Sequence, residues 1–71
     1  MNAMRIEIGK QYKSPQKIVT IVNVIVQADE NGKPQIVIDY QYDEGQIGGI
    51  EGLIRTAERT FDDFVSYFEA V

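Results

Sequence analysis

Apolar and polar residues alternate near the start of the chain and predict a first strand. Met4, Ile6 and Ile8 alternate with charged residues or glycine, a period-2 pattern typical of strands with one buried face. Residues 1–3 show no pattern, and we expect them to be a disordered start or an expression scar. A single small domain is therefore predicted at residues 4–71.

The second predicted strand, residues 17–27, is largely apolar on both faces and rich in β-branched residues, which favour strands. Strict alternation divides it into two sets. One set contains Ile18, Thr20, Val22, Val24 and Val26, and the other contains Val19, Ile21, Asn23, Ile25 and Gln27. Because both sets are mostly apolar, we expect this strand to lie at the centre of a sheet.

A turn and a third strand follow. Residues 29–34 contain Asn31-Gly32, a pair suited to the tight turn of a hairpin. Residues 35–43 then alternate cleanly. One face carries Ile36, Ile38, Tyr40 and Tyr42, and the other carries Gln35, Val37, Asp39, Gln41 and Asp43. The two strands are therefore predicted to pair antiparallel.

The last segment follows a glycine-rich connector at residues 44–49 and shows helical spacing. Its apolar residues form one stripe at 100° per residue, namely Ile50, Leu53, Ile54, Ala57, Phe61, Phe64, Val65 and Phe68. We expect one amphipathic helix. The rival interpretation is a strand that ends near Glu58, followed by a short helix capped by Thr60, because Thr60 and Asp63 resemble a capping box.

Together these elements predict an α+β domain: a three-stranded antiparallel meander, with residues 17–27 in the middle and the C-terminal amphipathic helix across one face. The alternative is a small SH3-like β-barrel with a short terminal helix. The connector at 45–52 opens the predicted helix, but no lysine follows it as in a phosphate-binding loop, so we expect its glycines to serve the chain reversal.

Composition removes most catalytic machinery. The chain has 71 residues, 44% of them hydrophobic and 25% charged, with no Cys and no His. Thiol nucleophiles, imidazole bases, disulfides and the usual zinc ligands are therefore excluded, and we expect neither a cofactor nor a metal. The apolar run 18–26 is shorter than the roughly 20 residues that span a bilayer, and no signal-peptide pattern is present. We expect a soluble cytoplasmic protein.

Charge narrows the choice of partner. The net charge is −4, and Arg55 and Arg59 are the only basic residues after position 35. Nucleic-acid binding is disfavoured, since a groove-reading sheet needs Arg and Lys where this one has Asp39 and Asp43. Four residues apart on one strand, these two acids would lie ~13 Å from each other, without the cleft that paired catalytic acids require.

The most informative prediction concerns the sheet face that the helix leaves bare. If the helix covers the face of Ile38 and Tyr40, strict alternation leaves an apolar patch with a polar rim on the other side, which is typical of an interaction surface. The SH3-like alternative would bury the same patch. The candidate partner-binding residues are Val19, Ile21, Ile25, Val37, Asp39 and Asp43.

These observations predict a small non-enzymatic protein–protein interaction module that self-associates through the bare sheet face, most simply as a homodimer. The alternative is an acidic inhibitor or mimic that binds a basic partner surface. We expect no nucleic acid, membrane or small-molecule substrate as a partner.

Overall fold

The computed structural model describes residues 6–71. Five strands and one short α-helix make up the fold. They are β1 (Gln11–Lys13), β2 (Ile18–Ala28), β3 (Pro34–Asp43), β4 (Ile54–Thr60), α1 (Phe61–Tyr67) and β5 (Glu69–Ala70). The prediction for residues 1–3, together with Met4, lies outside the described residues. Ile6 and Ile8 lie before β1 and outside any strand.

All five strands form one open antiparallel sheet in the order β4-β3-β2-β1-β5. The α+β class is confirmed. The sheet nevertheless has five strands instead of the predicted three. Because β4 and β5 are the two outer strands, the sheet does not close into the alternative barrel. Within residues 6–71, none of the helices has the length and apolar character needed to cross a membrane.

The prediction of one long C-terminal helix is wrong, and the rival interpretation, a strand followed by a short helix, is correct. All seven residues of β4 pair with β3. If this segment were a helix, that edge of β3 would stay unpaired. Gly52, just before β4, has φ +86, in a left-handed region that glycine adopts readily and that interrupts a helix. α1 begins only after Thr60, whose hydroxyl accepts a hydrogen bond from the Asp63 backbone at 3.3 Å.

A β-bulge in β2 changes which residues share a face. Ile21 pairs with Tyr40 and Asn23 pairs with Asp39, so Val22 is the extra residue. Two residues that pair across neighbouring strands point to the same side of the sheet. The pairs before and after Val22 therefore show that the alternation of β2 shifts by one residue at the bulge. As a result, Val24 continues the face of Ile21.

The core lies on the face that α1 crosses as the chain passes from one outer strand to the other. We call it the helix-covered face. Its buried cluster consists of Tyr12, Val19, Ile21, Ile38, Tyr40, Phe64 and Phe68. Phe64 and Phe68 stack at a centroid separation of 4.7 Å, and Tyr12 meets Phe64 edge-on at 5.5 Å. These aromatic contacts hold α1 on the sheet.

Candidate partner-binding face

Two of the predicted partner-binding residues are core residues. Val19 is 0% and Ile21 is 1% exposed, and both belong to the buried cluster that contains Phe64. Strict alternation placed them beside Ile25, but the bulge at Val22 puts them on the helix-covered face. Their assignment to the bare face is therefore wrong.

Three other predicted residues lie on the opposite side of the sheet. Ile25 pairs with Val37, and Asp39 lies between Asn23 and Glu58. We call this side of β2, β3 and β4 the uncovered face. Val37 is only 4% exposed although it is outside the core cluster, because Ile25 and Thr60 flank it on the neighbouring strands. Val37 is thus the floor of the face, and Ile25 and Asp39 stand partly exposed beside it.

Asp43 has a local structural role in the glycine-rich connector. One of its carboxylate oxygens accepts backbone hydrogen bonds from Gly45 at 2.8 Å and from Gly52 at 3.0 Å. The backbone N–H groups that a bound anion would need therefore already donate to the Asp43 carboxylate. Glu44 and Arg55 close the connector with an ion pair at 2.6 Å. We conclude that this segment is an internally bonded turn.

Sequence reasoning missed Val22 as a surface residue. As the bulged residue it is exposed, and it lines a shallow depression of about 400 Å³ with Asp39, Thr56 and Glu58. The depression places the apolar side chain of Val22 beside two carboxylates. A bulge cannot be found from hydrophobic alternation, because the extra residue here is as apolar as its neighbours.

The three neighbouring strands β2, β3 and β4 separate their charges by face. On the uncovered face of β2, β3 and β4 the register places Asp39, Asp43 and Glu58 and no basic residue, whereas Arg55 and Arg59 of β4 pair with Tyr42 and Ile38 on the helix-covered face. Asp39 and Glu58 are directly opposite each other, and like charges in this position are destabilising. Among residues 6–71, neither acid forms an ion pair.

A cationic and aromatic cluster lies at the rim of the helix-covered face. Lys17 sits 4.3 Å above the ring of Tyr42, and Arg59 sits 4.6 Å above the ring of Tyr67. The Arg59 Nε also donates a hydrogen bond to the Tyr40 hydroxyl at 3.1 Å. Partial burial, and then the positive charge of Arg59, lowers the pKa of Lys17 below its usual value.

In residues 6–71, no group of three or more acidic side chains is arranged to hold a metal ion. Comparison of the chain with protein-family models, with curated proteins and with solved structures finds no match. The geometry of the uncovered face is therefore the basis on which a function is proposed.

Proposed function

We propose that this chain is a non-enzymatic protein-interaction module whose uncovered face binds a basic protein surface. The separation of strand charges by face carries the proposal. Asp39 and Glu58 are directly opposite each other, and neither forms an ion pair within residues 6–71. An Arg or Lys from a partner would relieve their repulsion. Such a residue would also form charge-assisted hydrogen bonds with both carboxylates.

The apolar residues of this face supply the rest of the contact. Val22 is exposed and Ile25 is partly exposed, and Val37 closes the surface below them. An apolar centre beside charged groups is the usual arrangement of an interaction surface. The charges would accelerate encounter with a basic partner, and the apolar centre would slow dissociation.

Self-association through this same face remains a prediction, and the charges argue against it. Two copies placed face to face would bring Asp39 and Glu58 of each chain toward the acids of the other. Like-charge juxtaposition across an interface costs several kcal/mol. A basic partner therefore fits this face better than a second copy does.

The test compares two charge-reversal variants with the same net charge. Asp39→Lys/Glu58→Lys alters the uncovered face, whereas Glu30→Lys/Glu51→Lys alters exposed acids in the hairpin turn and the connector. Each variant is used as bait in nuclease-treated lysate at low and high salt, and captured proteins are quantified by mass spectrometry. We expect basic partners to be lost with the first variant and kept with the second.

Salt provides the second readout of this experiment. Exposed charge pairs are screened within about 8 Å at physiological ionic strength and within about 3 Å at 1 M, so capture by the unaltered protein should fall steeply at high salt. A partner that binds both variants equally, or whose capture is independent of salt, would contradict the proposal. Circular dichroism of the two variants establishes that both are folded.

A further inference from the structure

Within residues 6–71, the outer edge of β2 is unpaired over more than half of its length. Of the residues of β2, β1 pairs only with Ile18, Val19 and Thr20. Lys10 and Gly9 exchange backbone hydrogen bonds with Ile21 at 3.0 and 2.8 Å. From Val22 to Ala28, no strand within residues 6–71 lies on this side of β2. On its other side the strand is paired with β3 as far as Ala28.

Backbone groups at this edge face away from β3. The Val24 N–H donates a hydrogen bond to the Oδ1 atom of the adjacent Asn23 side chain at 3.0 Å. A group held in the ladder with β3 would not be available for this contact. Because successive residues of a strand point their backbone groups to opposite sides, the groups of Val26 and Ala28 face outward as well.

The free edge lacks the charged residues that normally prevent such an edge from pairing with another chain. Residues 22–28 read Val-Asn-Val-Ile-Val-Gln-Ala, without a charged residue or a proline. The exposed outer strand β4, in contrast, carries Arg55, Glu58 and Arg59. Charge and proline are the usual protection against edge-to-edge pairing. The bulge at Val22 lies at the beginning of the free stretch and leaves the residues after it in regular register.

We propose that a second copy of this chain pairs antiparallel with the β2 edge, about a two-fold axis that passes through Ile25 perpendicular to the sheet. In this arrangement Ile25 meets Ile25 of the second copy, and Val24 meets Val26 of the second copy. Asn23 meets Gln27 of the second copy, so that two amide side chains can bond to each other. Every pair is then apolar with apolar or amide with amide.

The exposure of these side chains supports the same arrangement. Val26 is 67% exposed, while Val24 already packs against the core. Pairing would place Val26 of each copy beside Val24 of the other, which extends the core cluster across the axis and removes apolar surface from water. The Val24 and Val26 backbone groups would form four hydrogen bonds between the copies, two for each symmetry-related pair. In two of them the Val24 N–H would exchange its present Asn23 acceptor for the Val26 carbonyl of the second copy.

This interface is independent of the proposed function. A two-fold axis perpendicular to the sheet places the uncovered faces of both copies on the same side of the combined sheet. Both faces therefore stay open to a partner. Since only seven residues from each chain take part, the interface is smaller than a standard one of about 800 Å² on each partner. We therefore expect a dimer that dissociates on dilution.

The first experiment measures the mass of the protein in solution against concentration by sedimentation equilibrium. We expect a species of twice the 8.1 kDa chain mass at high concentration, and we expect Val26→Lys to abolish it. Ile50→Lys is the matched control, because Ile50 is 68% exposed in the connector and lies away from the edge. A monomer at every concentration, or a dimer that Val26→Lys leaves intact, would overturn the proposal.

The second experiment places a cysteine on the proposed axis. The chain has no Cys of its own, so Ile25→Cys and the control Ile50→Cys each introduce a single thiol. In a pair without mutual hydrogen bonds the Cα atoms lie about 4.5 Å apart, within the range of about 4.4–6.8 Å that a disulfide spans. Mild oxidation should cross-link Ile25→Cys much faster than Ile50→Cys, and equal rates would overturn the register.

Amide hydrogen exchange distinguishes pairing by a second copy from coverage by the chain itself. We expect protection of the Val24 and Val26 amides to rise with protein concentration. Strong protection of these amides in a dilute monomer would show that another part of the same chain occupies the edge, and would overturn the proposal. Loss of basic partners in the capture experiment tests only the uncovered face, so the two failures are separable.

Discussion

Arg59 combines packing and charge in one side chain. Its guanidinium lies over Tyr67, and its Nε bonds the hydroxyl of the buried Tyr40. These contacts fix a positive charge at the rim of the core, where Lys17 also lies. Neither cation has an acidic partner within residues 6–71. No pattern in the sequence marks this cluster, because its members come from distant parts of the chain.

We expect Arg59→Gln to raise the pKa of Lys17 toward its usual value, because the neighbouring positive charge is removed. Arg55→Gln is the control, because Arg55 lies on the same strand as Arg59 but is paired with Glu44 of the connector. NMR titration of the Lys17 side chain measures the change. The same Lys17 titration in the original protein and both variants would contradict this cause.

The lowered pKa of Lys17 also predicts how its contribution to stability depends on pH. The folded protein holds this proton less tightly than the unfolded chain, so the charged form opposes folding at neutral pH. The penalty is relieved as the pH rises through the folded-state pKa. Lys17→Met should therefore stabilise the fold at neutral pH, and urea unfolding should show that this gain shrinks at alkaline pH.

At the scale of single elements, the sequence predicts correctly those features that depend on residues close together in the chain. The predicted strand 17–27 differs from β2 by one residue at each end, and the predicted strand 35–43 differs from β3 by one residue at its start. The Thr60 cap is present. Elements that depend on distant partners were not predictable: β4 forms because β3 offers an edge, although its apolar residues also suit a helix.

The bulge predicts an unusual tolerance to deletion within β2. Deleting Val22 leaves Ile21, Asn23 and Val24 in strict alternation on their present faces and opposite their present partners. Deleting Thr20, two positions earlier, forces Val19 or Ile21 off the helix-covered face. Burial of such a side chain is worth about 1.5–3 kcal/mol, so the Thr20 deletion should be far more destabilising.

Urea unfolding of the two deletion variants, followed by circular dichroism, tests this expectation. The Val22 deletion should keep the folded signal and a cooperative transition. Equal loss of stability in both variants would mean that the bulge itself is required, for example by the bend that it introduces into the strand.

At the scale of the whole molecule, the candidate face was predictable in part from the sequence. Ile25, Val37, Asp39 and Asp43 were assigned to the correct side because no bulge separates them in register. Val19 and Ile21 were not, because a single extra residue reverses every assignment before it. The charge separation follows from the β3–β4 register, which the long-helix interpretation excluded.

The sheet order brings together segments that are far apart in the chain. β2, β3 and β4 are consecutive neighbours, whereas β5 pairs with β1 through Tyr12 and Ala70. Phe68, next to β5, completes the aromatic cluster. Long-range closure of this kind costs more chain entropy than a hairpin does.

This order has a consequence for the folding pathway. We expect the β2–β3 hairpin to form early, because Asp29 organises its turn by accepting hydrogen bonds from Asn31 and Lys33, and the docking of Phe68 to come last. Asp29→Ala should mainly slow refolding and Phe68→Leu should mainly speed unfolding, as stopped-flow kinetics in urea would measure. The reverse result would place the nucleus at the β1–β5 closure. Until that closure the aromatic cluster is open to solvent, so the speed of the final docking step governs how long a newly made chain can aggregate.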